Sequence, residues 1–88
     1  MDQRAFEAEL TAAGYTQIET KVIDPRPVNA EHMHDYKIRG IVLDGIFIVT
    51  QDQKATKYLP GEVFAVAEGQ LHTEEIGPQG ARILVGRK

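Results

Sequence analysis

The chain has 88 residues, which allow one domain with a small core, residues 1–88. The lack of cysteine excludes disulfides and thiolate metal sites, and the scattered cations, 10 Lys and Arg against 13 Asp and Glu, argue against nucleic-acid binding. The N-terminus lacks the pattern of a signal peptide, and no apolar run approaches the ~20 residues of a membrane span, so we expect a cytoplasmic protein that does not enter a membrane.

The first segment of the chain is predicted to form its only helix. Asp2 is placed to cap this helix, and Gly14 is placed to end it. Phe6, Leu10 and Ala13 fall on one face. A helix this short is not stable alone, so the apolar face is expected to pack on the remainder of the chain.

The rest of the chain alternates short β-branched or aromatic runs with turn signals, which is typical of an antiparallel sandwich or barrel. The predicted strands occupy residues 18–23, 32–43, 46–50, 55–59, 63–66, 71–76 and 81–85. We therefore predict an all-β antiparallel barrel over residues 15–88, with a short α-helix in residues 1–14 docked on it.

Two turns carry specific predictions. Asp44-Gly45 separates two apolar runs and is typical of a two-residue type I′ hairpin. Pro60-Gly61 suits the centre of a type II turn. Because residues 41–49 are apolar without alternation, both faces of this hairpin should be covered. One face would line the barrel, and the other would meet either the helix or a second subunit; we expect a homodimer, since closed twofold dimers are the commonest assembly.

The three histidines are the most informative polar residues. His32 and His34 are two apart on a predicted strand, so both side chains leave the same face. Two imidazoles at this spacing can converge on one ion at about 2.0–2.1 Å. His72 lies on a later strand that can close the site from across the barrel. On spacing alone, polar residues on a solvated strand remain an alternative to a metal site.

The segment from His32 to His72 resembles the two motifs of the cupin family, G-x5-H-x-H-x(3,4)-E-x6-G and G-x5-P-x-G-x2-H-x3-N. The glycines and histidines that match are His32, His34, Gly45, Gly61, Gly69 and His72. The resemblance implies a small jelly-roll barrel. It also implies a metal site formed by the three histidines.

The chain departs from the motifs at four positions. The family's metal-binding glutamate is replaced by Ile38, which cannot coordinate an ion. The other departures are Arg26, Ala67 and Ile76, at positions that mainly shape turns. Glu74, two residues after the second-motif histidine on the same strand face, is a candidate for the missing carboxylate. The alternative is that Glu74 is an exposed acid.

Other residues are expected to line the cavity of the barrel. Tyr36 shares the parity of the first two histidines and should point inward. Phe47 and Phe64 are predicted to face the interior, mainly as core residues. A mostly apolar interior with a few histidines describes a pocket for a small molecule. Three neutral imidazoles suit Zn, Fe, Ni, Cu or Co, although some cupins bind no metal.

Three functions follow from this interpretation. The chain is expected to bind a divalent metal and a small organic ligand without turnover. Alternatively, it is a metal-dependent enzyme similar to the non-haem dioxygenases among the cupins, or a metal-free barrel that binds a ligand or a partner protein. The short chain leaves little length for loops that enclose a substrate, which favours the binding module.

Overall fold

A computed structural model describes residues 2–88, and Met1, part of the predicted helical segment, lies outside them. The described chain contains α1 (Gln3–Ala12), β1 (Thr16–Ile23), β2 (Ile38–Gln51), β3 (Lys54–Tyr58), β4 (Val63–Val66) and β5 (His72–Arg87). The strands pair in antiparallel fashion. The predicted all-β architecture with a short N-terminal helix is thus confirmed.

The two longest strands, β2 and β5, form the centre of the sheet and pair along most of their length. Strand β1 extends the sheet beyond β5. Strands β4 and β3 pair with the first and last parts of β2, at residues 38–41 and 47–51. Between these two segments of β2 the pairing with β5 is bulged, and a bulge bends the strand that contains it.

The predicted hairpin at Asp44-Gly45 is wrong, because both residues lie inside β2. Bulges interrupt the pairing with β5 on either side of them, between Val42 and Asp44 and between Gly45 and Phe47. Gly45 has the positive φ, 79°, that the turn prediction required, but uses it in a bulge. A Cβ at Gly45 would overlap the carbonyl oxygen of Gly80. Because β5 pairs with both residues, Asp44 and Gly45 stay within β2 and do not form a turn.

The sheet makes its two-residue hairpin between β2 and β3 instead. Asp52 and Gln53 connect these strands, and both have positive φ, 51° and 64°, as a type I′ turn requires. The predicted turn at Pro60-Gly61 is confirmed: the N–H of Glu62 donates to the carbonyl of Leu59 at 3.0 Å, and Gly61 has φ 89°.

Two further predicted boundaries differ from the structure. The strand expected over residues 32–43 begins only at Ile38, and the preceding residues are irregular except for one bridge between His32 and His72. Residues 77–80, expected to form a turn, lie within β5 as an excursion opposite Ile46. The two runs at either end of this excursion therefore form one strand.

The core has two parts, one on each side of the central strands. The inner cluster consists of Val42, Phe47, Val49, Phe64, Val66, Ile76, Ala81 and Ile83. The outer cluster consists of Phe6, Leu10, Ile41 and Leu84, and joins the helix to the sheet.

Helix α1 covers the outer face of the central strands. The Asp2 carboxylate accepts from the N–H of Ala5 at 2.7 Å and caps the helix, as predicted. Phe6 and Leu10 are fully buried, whereas Ala13 lies beyond the helix and is exposed. The helix therefore packs on the outer face, which is one of the two arrangements considered for it. The homodimer stays a prediction. Within residues 2–88, no helix has the length and apolar character to cross a membrane.

Leu10→Ala should destabilise the protein by about 2–5 kcal/mol, because it removes a fully buried side chain from the outer cluster. Glu7→Ala, on the exposed side of the same helix, should change stability by no more than about 0.5 kcal/mol. Urea unfolding of both variants checks this. Equal midpoints for Leu10→Ala and the parent protein would contradict the docking of the helix.

Candidate functional site

The site is organised by a segment that runs alongside the beginning of β5. The N–H groups of His32 and His72 each donate to the other residue's carbonyl, at 3.0 and 2.9 Å. Arg26 and Ile76 exchange a second pair of backbone hydrogen bonds, at 3.3 and 3.1 Å. Between these points, the N–H of Asn29 donates to the carbonyl of Glu74 at 3.0 Å. This ladder places residues 26–32 beside the strand that carries the third histidine.

The first-motif residues alternate in exposure although they lie outside a regular strand. His32, His34 and Tyr36 are partly buried, while Met33 and Asp35 between them are exposed. The inward orientation predicted from parity therefore holds without the predicted strand, since the chain stays extended enough to alternate its side chains.

The structure brings the three predicted histidines together. One imidazole nitrogen from each of His32, His34 and His72 lies within 4.8 Å of the other two. The ring centroids of His32 and His72 are 4.2 Å apart, and His34 lies 5.2 and 5.4 Å from them. Nitrogens that share one tetrahedral ion at about 2.0–2.1 Å lie about 3.4 Å apart, so the rings would have to move closer together to bind it.

Two backbone carbonyls set the orientation of two imidazoles. Nδ1 of His32 lies 2.9 Å from the carbonyl oxygen of Ala30, and Nδ1 of His72 lies 3.0 Å from that of Gln70. A carbonyl can only accept, so each Nδ1 carries a proton, and in the neutral imidazole each Nε2 offers a lone pair. A carbonyl that accepts from the second ring nitrogen is the usual support of a metal-binding histidine.

The Nε2 atom of His72 is the clearest sign that the site is incomplete without a ligand. The side chain of His72 is fully buried, and this nitrogen has no hydrogen-bond partner among the described residues. An unsatisfied buried polar atom costs about 1–3 kcal/mol. A cation placed among the three imidazoles would satisfy this nitrogen, so the donor set fits a metal ion.

His34 is held by an aromatic neighbour. The Tyr36 hydroxyl lies 3.1 Å from Nδ1 of His34, and the two rings stack with centroids 4.9 Å apart. The guanidinium of Arg87 covers the ring of Tyr36 at 4.5 Å. Burial, and then the proximity of His32 and His72, lower the pKa of His34 below its usual range. The neutral form, which can bind a metal, is thereby favoured.

Glu74 is not an exposed acid, which corrects one of the two interpretations considered for it. Its side chain is 20% exposed and faces the histidines. One carboxylate oxygen, Oε1, accepts from Nη2 of Arg26 at 3.0 Å. The other, Oε2, lies 3.5 Å from Nε2 of His72. With His72 neutral and its proton on Nδ1, this second contact joins two acceptors and is not a hydrogen bond.

A cavity of about 310 Å³ opens beside the histidines. Its polar lining consists of Lys21, Arg26, His32, His34, Tyr36 and Glu74. Its apolar lining consists of Ile23, Ile38, Phe47, Phe64, Ile83 and Val85. The side chains expected to face the interior do so, and Phe47 and Phe64 also belong to the inner cluster. His72 is buried next to this cavity without forming part of its lining.

Sequence reasoning missed the two cations of the cavity. Arg26 was assigned a turn-shaping position, yet its side chain holds Glu74 at the edge of the site. The sequence did offer one signal for Arg26: a charged residue occupies the position, six residues before His32, at which the motif has glycine. Lys21 lies on β1, outside both motifs, and no pattern in the sequence linked it to the site.

No protein-family model matches the chain, and no curated protein matches its sequence significantly. Solved structures do match. The chain aligns with an RmlC-like cupin from Shewanella frigidimarina at TM-score 0.68 and 20% identity, covering 80% of this chain and 62% of that one. It is also similar to KdgF from Halomonas sp., with TM-score 0.60, 20% identity and coverage of 80% and 77%.

A third similar structure is a cupin superfamily protein from Desulfitobacterium hafniense, with TM-score 0.61, 15% identity and coverage of 81% and 76%. These structures agree with the antiparallel architecture described above. The chain has the cupin fold. It spans less than two thirds of the Shewanella protein.

Within the cupin fold, the two motifs meet as the resemblance implied. His32 and His34 approach His72 at the start of β5, and Ile38 lines the cavity at the position of the motif glutamate. No oxygen ligand is therefore offered from that position. The assignment of these residues to a metal site stays a prediction.

Acidification should destabilise the metal-free protein. Because the pKa of His34 is lowered in the folded state, the unfolded chain binds more protons once the pH falls below about 6.5. The stabilising contribution is complete above that pH and is lost as the pH falls through the folded-state pKa. Urea titrations across this range should show a smaller loss in His34→Gln. Identical pH dependence in both proteins would contradict the assignment.

Proposed function

We propose that this cupin binds a divalent transition metal through His32, His34 and His72, together with a small organic ligand in the adjoining cavity. The observation that carries the proposal is the buried, unpartnered Nε2 of His72, which faces two other imidazoles. A purely structural histidine at this position would be expected to find a hydrogen-bond partner.

The donor set selects a class of ions. Neutral imidazoles suit Zn, Fe, Ni, Cu or Co, and not Ca or Mg, which prefer oxygen. Such an ion would supply a Lewis acid with positions open to water or to a donor atom of the ligand. The chain itself supplies the orientation: the carbonyls of Ala30 and Gln70 hold two rings, and Tyr36 holds the third.

The cavity supports a ligand that is small and carries negative charge. A volume of about 310 Å³ is at the lower end of the range for small-molecule pockets. Lys21 and Arg26 contribute two positive charges and Glu74 one negative charge, so the lining is net positive before any cation binds. Ile38, Phe47 and Phe64 offer an apolar wall for the rest of the ligand.

Metal binding should depend on His72. Isothermal titration of chelator-treated protein with Zn²⁺ should show one site per chain. His72→Ala should abolish this site, and Glu31→Gln, which changes an exposed acid, should leave it intact. Because His72→Ala also opens a space in the core, His34→Gln provides a second test at a partly buried position, and it should weaken binding at least about tenfold. Unchanged Zn²⁺ affinity in both histidine variants would contradict the proposal.

Turnover is a separate question that the same preparation answers. An oxygen electrode with Fe(II)-loaded protein and small organic acids would detect a dioxygenase. Stoichiometric binding of metal without oxygen consumption fits the binding module proposed here.

A further inference from the structure

We infer that Glu74 is a fourth protein ligand of the metal and replaces the carboxylate that Ile38 removes. The inference rests on the proposed three-histidine site. It differs from the motif pattern, because the oxygen donor comes from β5, two residues after His72, and not from β2.

The contact between Glu74 and His72 is the first argument. Oε2 of Glu74 and Nε2 of His72 face each other at 3.5 Å, and both are acceptors when His72 is neutral, the form that binds a metal. Two lone pairs at this distance repel each other unless a cation or a proton lies between them. The distance is also close to the separation of about 3.4 Å expected between two donors that bind one tetrahedral ion at about 2.0–2.1 Å.

The way in which Glu74 is held is the second argument. Its backbone is fixed on both sides, since its N–H donates to Oδ1 of Asn29 at 2.8 Å and its carbonyl accepts from the N–H of Asn29. Among the described residues, Arg26 is the one hydrogen-bond partner of its carboxylate, in an ion pair whose two side chains are 40% and 20% exposed. Such a pair is weak, so the carboxylate can turn towards a cation without disturbing the strand.

A movement of this kind is required. The nitrogens of the three histidines form the compact group of donor atoms, and Glu74 lies outside it. Oε2 must therefore move closer to His32 and His34 as well as to His72, while Arg26 continues to donate its hydrogen bond to Oε1. Arg26 acts here as a positioning residue, because it touches the ligand carboxylate and not the ion.

Zinc titration of the chelator-treated 88-residue chain tests the inference. Glu74→Gln keeps the size of the side chain but removes its charge, and it should weaken Zn²⁺ binding at least about tenfold. Glu75→Gln is the matched control, because the next residue on β5 has the opposite side-chain direction and is absent from the cavity lining. Of these two variants, Glu74→Gln alone should change the visible absorption spectrum of bound Co²⁺, since a neutral amide replaces an anionic oxygen donor.

A carboxylate restored at the motif position should compensate. The double variant Ile38→Glu, Glu74→Gln should bind Zn²⁺ more tightly than Glu74→Gln. Thermal unfolding in the presence of chelator identifies which variants are folded, so that only folded proteins are compared. If the double variant and Glu74→Gln bind Zn²⁺ with equal affinity, a carboxylate at residue 38 does not replace the one at residue 74, and this part of the inference is overturned.

The outcomes separate this inference from the function on which it rests. If the parent protein and Glu74→Gln bind Zn²⁺ equally while His72→Ala does not bind it, Glu74 is not a ligand and the three-histidine site stands. If the parent protein binds no transition metal, both proposals are overturned.

Discussion

The antiparallel ladder between residues 26–32 and the start of β5 is the contact on which the site depends. Reciprocal hydrogen bonds between His32 and His72 join the two motifs at one point, and those between Arg26 and Ile76 join them at another. Without this ladder, the first-motif histidines would lie on a free loop. The ladder also delivers Arg26 to Glu74, so the charged edge of the cavity has the same structural origin as its imidazoles.

The central strands explain how a chain of 88 residues can enclose a cavity. Strand β2 pairs with β5 on one side and with β4 and then β3 on the other, so a single bulged strand belongs to both ends of the barrel. Its inner side chains form the cavity wall at Ile38 and the core at Phe47. Ile41 belongs to the outer cluster, which the helix covers. Core and site are therefore built from one continuous element.

Much of the fold and the central residues of the site could be predicted from the sequence, because they follow from patterns of local spacing. The helix cap at Asp2 and the inward parity of His32 and His34 are examples. The hairpin at Asp44-Gly45 could not be predicted correctly, because a positive φ suits a bulge as well as a turn, and only the distant β5 decides between them. The partnership of Arg26 with Glu74 likewise depends on long-range pairing across 48 positions.

The sequence separation of the three histidines has a consequence for folding. His32 and His34 are local neighbours in any conformation, but His72 joins them only after 40 residues have been arranged into the barrel, so the unfolded chain offers at most a weak two-imidazole chelate. An ion that requires all three donors binds the native state selectively and shifts the folding equilibrium by mass action. In a cupin of 88 residues with no disulfide, such an ion would act as a reversible cross-link between the two halves of the chain.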